Sequence, residues 1–142
     1  MLILDTDHMS LMHWGQGEDA ERFRKRLVQT PASDLATTIV SYEEQTRGWL
    51  AYMARAKSLE QQIDAYRRLH RHLDIYSGIR VIDFDEPSAV EFQSLRHLKR
   101  HIGVYDLRIA AIAKSRQAKL ITRNTVDFDQ VPGLTIEDWT RP

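Results

Sequence analysis

Three carboxylates stand where apolar elements end or begin. Asp5 follows Leu2-Ile3-Leu4, a short run that reads as a buried strand. Glu44 comes just after a second, β-branched run, Leu35–Val40, and Asp106 opens the strongly apolar stretch Leu107–Ala113. Acidic oxygens gathered at the rim of a sheet are hard ligands of the kind that hold Mg²⁺ or Mn²⁺. Each residue also has a plainer role. Asp5 or Asp7 can cap a helix. Ser41-Tyr42-Glu43-Glu44 has the form of a capping box, with Ser41 as the cap and Glu44 bonding back to it. Asp106, in a first helical turn, complements the helix dipole by roughly 0.3–1 kcal/mol. With Asp7 available as the cap, Asp5 is left partly desolvated, a cost that pairing or a metal offsets. Asp106 has the same need, because Arg108 is directed to another face of its helix. Asn124 and Asp127 follow a fourth apolar run and add further oxygens.

Alternating elements position these groups. Strands are expected at Leu2–Leu4, Leu35–Val40, Arg80–Phe84, Lys119–Thr122 and Leu134–Ile136, and helices at Glu18–Gln29, Ser41–Ala56, Ser58–Tyr76, Glu86–His101 and Asp106–Arg116. In Ser58–Tyr76 the apolar residues Leu59, Ile63, Tyr66, Leu69, Leu73 and Tyr76 recur at steps of three and four, with Gly78 where a C-terminal cap belongs. Strands alternating with helices predict a parallel α/β sheet, whose ligands bind beyond the carboxyl ends of the strands. Asp5, Glu44, Asp106, Asn124 and Asp127 can all converge on that rim.

Composition narrows the class. The 142 residues fit one domain spanning 1–142, with 42% hydrophobic and 28% charged residues, which excludes a disordered chain. The absence of cysteine excludes disulfides and thiolate metal sites and fits a cytoplasmic location. No signal peptide and no membrane span is expected, since Asp5 and Asp7 interrupt the apolar start and Arg108 interrupts the most apolar helix. The formal net charge is zero, so any nucleic-acid contact must come from local patches.

Several motifs in order resemble the PIN-domain ribonucleases, specifically the VapC-type toxins of bacterial toxin–antitoxin pairs. Leu4-Asp5-Thr6 is similar to the family's opening. Val40-Ser41-Tyr42-Glu43-Glu44 followed by Gly48 matches its hydrophobic–Thr/Ser–x–x–Glu–x–x–x–Gly pattern and selects Glu44 over Glu43. Gly103-Val104-Tyr105-Asp106 with Ile109-Ala110-Ala111 matches Gly-x-x-Asp-x-x-Ile-Ala-Ala, and Thr122-Arg123-Asn124 matches Thr-x-Asn/Asp. Three positions depart from the pattern. Tyr105 stands where many relatives have Asn, Asn124 where some have Asp, and Asp7 replaces a frequent Asn.

The resemblance implies a three-layer α/β/α fold with a mostly parallel central sheet of four to five strands. It implies Mg²⁺- or Mn²⁺-dependent endoribonuclease activity, with Asp5, Glu44 and Asp106 catalytic and metal-binding, and either Asn124 or Asp127 in the fourth position. Arg123, Arg100, Lys99 and Thr6 are the expected RNA contacts. A small antitoxin and a second copy of the chain are the expected partners, with Trp14, Trp49 and the Leu50/Met53 region as one candidate interface. Two other readings compete. A haloacid-dehalogenase-like phosphatase would share Asp5-Thr6-Asp7, but it needs a Thr where Met9 stands. A catalytically degenerate PIN domain would bind RNA or protein without cleavage.

Overall fold

Five apolar runs pair into one sheet in the order β3-β2-β1-β4-β5, and every pairing is parallel. The strands are β1 (Leu2–Leu4), β2 (Leu35–Thr38), β3 (Arg80–Ile82), β4 (Lys119–Ile121) and β5 (Ile136–Glu137). The helices are α1 (Thr6–Trp14), α2 (Gly17–Gln29), α3 (Ile39–Ala54), α4 (Leu59–Ser77), α5 (Glu86–Leu95), α6 (Val104–Ser115) and the short α7 (Thr125–Phe128). This computed structural model describes all of residues 1–142. The chain lays β2 and β3 on one side of β1, then returns to lay β4 and β5 on the other. The direction of winding therefore reverses beside β1, which is where an open α/β sheet leaves a crevice.

Period-two alternation sends neighbouring strand residues to opposite faces. Ile3 and Leu120 join a core with α6, whereas Leu4 and Ile121 join a second core with Met9, Phe23, Tyr76 and Trp139. The sheet is thus covered on both faces, giving three layers. Helix α6 is the most enclosed: Leu107 and Ile109–Ala113 are all fully buried. Its three alanines let it lie close against the sheet and α5.

Several boundaries differ from the sequence expectation. Thr38, not Ser41, caps α3: its Oγ1 accepts from Ser41 N–H at 3.0 Å. The helix therefore starts two residues before Ser41, Ser41 is buried inside it, and the capping box with Glu44 does not exist. A well-placed Thr cap outweighs the β-branched character of Ile39 and Val40. Likewise β3 ends at Ile82, the helix from Glu86 tightens to a 3₁₀ segment over Arg96–Arg100, and Asp106 is the third residue of α6 instead of its opener. The last strand lies one to two residues later than expected, because Leu134 packs into the core while Ile136 and Glu137 pair with β4.

Helix α4 departs most. Leu59, Ile63, Tyr66 and Leu73 are 53–77% exposed. The buried stripe is instead Ala65, His72 and Tyr76. The His72 ring stacks on Tyr42 of α3 at 5.0 Å, so a polar aromatic sets the packed face of the helix. No helix is long and apolar enough to cross a membrane.

Two substitutions separate the buried helix from the exposed one. Ile109→Ala in α6 should cost about 2–5 kcal/mol of unfolding free energy. Leu59→Ala in α4 should stay within about 0.5 kcal/mol. Urea denaturation of both variants checks the assignment of faces.

Candidate active site

Asp5 is the first residue past β1. Its backbone N–H still donates to Ile121 at 2.9 Å, which fixes it at the end of the ladder between β1 and β4. One carboxylate oxygen accepts from Thr6 N–H at 2.8 Å and the other from Thr122 Oγ1 at 2.7 Å. Asp5 is therefore itself the cap of α1, the role that sequence reasoning gave to Asp7. The cap does not exhaust it. The side chain is 4% exposed and no Lys or Arg pairs with it. Burial and then the charge of Asp7 raise its pKa, and Asp106 adds to this. Against them stand only the two hydrogen bonds, so the group is pushed up to about 8.

Asp106 projects from the first turn of α6 toward the loop after β4. Burial, then Glu44, then Asp127 hold its proton on, pushing it up to about 6 in spite of a hydrogen bond from Asn124. The Asn124 amide is the bracket of the site. Its Nδ2 donates to Asp106 at 3.2 Å and to Asp127 at 2.9 Å. Only an NH₂ can serve two carboxylates, so the Asn124 carbonyl oxygen is turned away from both of them. Asp127 is the third residue of α7, not a loop residue, and the turn of helix holds it within reach.

Glu44 lies in the second turn of α3, half-buried. Its charge acts on Asp106 and, with burial as the larger cause, raises the hydroxyl of Tyr76 well above the usual tyrosine range. Glu43 is instead bound to Arg47 at 3.1 Å, which separates the two neighbouring acids. Arg47 thus serves Glu43 and not Glu44. Of the five expected residues, Asn124 joins Asp106 and Asp127 by hydrogen bonds, while Asp5 and Glu44 lie near enough for their charges and that of Asp106 to influence one another. Tyr76 and Gln45 behind them were not found from sequence: Tyr76 OH donates to Gln45 at 2.7 Å, and Gln45 donates to Ser10 at 2.7 Å. Tyr76 was legible only as an apolar stripe member.

The donor set suits a hard cation, since it consists of carboxylate and amide oxygens. No three Asp, Glu or His side chains stand close enough to chelate one ion directly. The fit is therefore to an ion that takes one or two carboxylates and keeps several waters, the usual habit of Mg²⁺. The expected RNA contacts are less gathered. Thr6 donates its hydroxyl to Ser41 at 3.0 Å. Lys99 and Arg100 are exposed in the 3₁₀ segment, with Lys99 Nζ 5.7 Å from the Phe92 ring centre. Arg123 turns its guanidinium to Asp19 at 3.0 Å.

Raised carboxyl pKa values oppose folding as they ionise. Asp5 and Asp106 keep a proton in the folded chain at pH values where the unfolded chain, near 3.8, has lost it. Stability should therefore fall as pH rises, up to about 6 through Asp106 and up to about 8 through Asp5. Thermal unfolding in EDTA across that range should show the decline, and Asp5→Asn, which keeps a capping oxygen, should flatten its upper part.

The sequence profile of the PIN domain matches residues 2–134. The tRNA(fMet)-specific endonuclease VapC of Salmonella typhimurium is 37% identical over 67 residues, covering 44% of this chain and 51% of that protein. Ribonuclease VapC2 of Rickettsia felis is 35% identical over 74 residues, 49% of this chain and 55% of that protein. These matches span about half the length of the curated relatives. Among solved structures, the DNA-bound VapBC complex of Salmonella typhimurium contains a chain that superposes with a TM-score of 0.79 at 27% identity, covering 97% of both chains. The FitAcB complex of Neisseria gonorrhoeae gives 0.76 at 25% identity over 100% of both. With its all-parallel three-layer sheet and its acidic rim at the switch point, the chain belongs to the PIN domain family.

Proposed function

We propose that the chain is a metal-dependent endoribonuclease and the toxin of a type II toxin–antitoxin pair. One observation carries this reading. Asp5 is buried at the end of a central strand and Asp106 half-buried in the first turn of α6, neither has a Lys or Arg partner within the chain, and burial together with nearby like charge raises the pKa of both. Such a rim gains most from a divalent cation, and cation binding would be linked to loss of their protons. Asp5, Glu44 and Asp106 would hold Mg²⁺ or Mn²⁺, one or two of them directly and the rest through its waters, with Asn124 or Asp127 as a further oxygen. The bound ion supplies charge neutralisation at the attacked phosphate and lowers the pKa of a water.

The chain's own groups prepare that chemistry. Thr122 Oγ1 and Thr6 N–H orient Asp5. The Asn124 amide draws Asp106 and Asp127 together while leaving its carbonyl oxygen unspent. Arg123 pairs with Asp19 at a half-exposed site, and such pairs are worth about 0–1 kcal/mol, so an RNA phosphate can replace the carboxylate at little cost. Lys99 and Arg100 are exposed to meet the strand. Transfer RNA is the first substrate to test, because the Salmonella relative is named for one. A transfer RNA target would fit a cytoplasmic location.

The VapBC complex among the structural neighbours supports an antitoxin partner. So does the apolar surface left in solvent by Leu59, Ile63, Tyr66 and Leu73. Pairing of two copies of the chain belongs to the same reading.

The separation of the carboxylates, no three within chelating distance, favours one second reading: a PIN domain that binds RNA or protein without cutting it. Cleavage of a panel containing initiator transfer RNA and single-stranded RNA decides between them. Wild type should cut with Mg²⁺ or Mn²⁺ and not in EDTA. Asp5→Ala, Glu44→Ala and Asp106→Ala should each lose about a hundredfold or more while remaining folded. Metal-independent cleavage, or full turnover by folded Asp106→Ala, would refute the mechanism.

A further inference from the structure

A run of hydrogen bonds links the carboxylate rim to the segment after the last strand and is not used by the chemistry above. The His8 ring is completely buried, edge-on to Phe23 with centroids 5.1 Å apart. Trp139 N–H donates to His8 Nε2 at 3.3 Å, so that nitrogen presents a lone pair. In a neutral ring the other nitrogen then carries the proton. His8 Nδ1–H accordingly donates to Asp7 Oδ1 at 2.7 Å.

The second oxygen of Asp7 accepts from Arg123 N–H at 2.9 Å. Arg123 sits between Thr122, which donates to Asp5, and Asn124, which donates to Asp106 and Asp127. Asp138 is 3.8 Å from His8 Nε2, beyond hydrogen-bond reach, and is satisfied instead by Thr140 and Arg141. Both oxygens of Asp7 are thus committed, one to the ring and one to the loop.

We propose that His8 is a positioning residue: a neutral ring fixed as the Nδ1–H tautomer by the Trp139 backbone, which holds Asp7 and thereby sets the Thr122–Asn124 loop against Asp5 and Asp106. The role rests on the reading of the rim as a catalytic site. Asp7 is then a strut between two elements. The segment after β5, which never touches the rim carboxylates, takes part in setting their geometry. Groups that orient the ligands of a metal site typically contribute tenfold to a hundredfold in activity or affinity.

Nitrogen-15 NMR of the labelled wild type reads the tautomer directly. His8 should show a protonated Nδ1 and a pyridine-like Nε2. His8→Phe keeps the shape and the contact with Phe23 but removes both hydrogen bonds. It should lower kcat about tenfold to a hundredfold, leave KM nearly unchanged, and shift the Arg123 and Trp139 backbone amide resonances. His8→Asn, whose amide reproduces the Nδ1–H donor, should restore most of kcat. Asp7→Asn leaves one acceptor for two donors, so either the His8 nitrogens or the Arg123 amide must shift, and this decides the matter if His8→Phe does not fold. An Nε2–H tautomer in wild type, or an Arg123 amide unmoved in folded His8→Phe, would overturn the proposal. If wild type cuts no RNA, the nitrogen and amide shifts still test the positioning, so its failure is distinct from that of the nuclease reading.

Discussion

Carboxylates of like charge confined at the carboxyl edge of a parallel sheet, with no basic side chain to neutralise them, set the terms for the rest of the molecule. The fold creates the problem. A central strand must be apolar on both faces, so the residue that follows β1 enters the crevice already stripped of most of its water. Asp5 occupies that place, and Asp106 reaches it from the first turn of α6. Every group around them answers that arrangement: Thr122 and Thr6 N–H bind Asp5, the Asn124 amide binds Asp106 and Asp127, and Glu44 adds a further negative charge from α3.

Basic residues are plentiful, since the chain has as many Lys and Arg as Asp and Glu. They are spent elsewhere. Arg22 and Arg123 bind Asp19, Arg47 binds Glu43, and Arg116 binds Asp85, all away from the rim carboxylates. A fold optimised for stability alone would turn one of them inward to pair with Asp5. Leaving the rim unneutralised costs stability above the usual carboxylate pKa range.

The acids of the rim were legible because each stands at a boundary between an apolar run and a turn, in an order that matches a family pattern. Parallel α/β architecture was legible from the alternation of elements. What sequence reasoning missed was local competition among caps. Ser41-x-x-Glu44 fits a capping box on paper, yet Thr38 captures the cap three residues earlier and frees Glu44 for the rim. Asp7 looked as good a cap as Asp5, and only its bonds to the neighbouring His8 ring and to Arg123, 116 residues away, assign it otherwise. The periodic apolar stripe of α4 misled for a related reason. Periodicity identifies a helix but not which stripe is covered, and α4 is covered through Ala65, His72 and Tyr76. The leftover apolar stripe stays in solvent. His8 was invisible because a buried histidine next to an aspartate has no sequence signature until the end of the chain folds back to it.

On the proposed function, Asp5 and Asp106 would retain protons that a divalent cation displaces. Calorimetric titration of Mn²⁺ into the folded protein near neutral pH, in two buffers of different ionisation enthalpy, measures that exchange directly. Binding accompanied by net proton release, reduced in Asp106→Asn and again in Asp5→Asn, is the predicted result. Mn²⁺ binding that releases no proton, or that is unchanged in both variants, would contradict it.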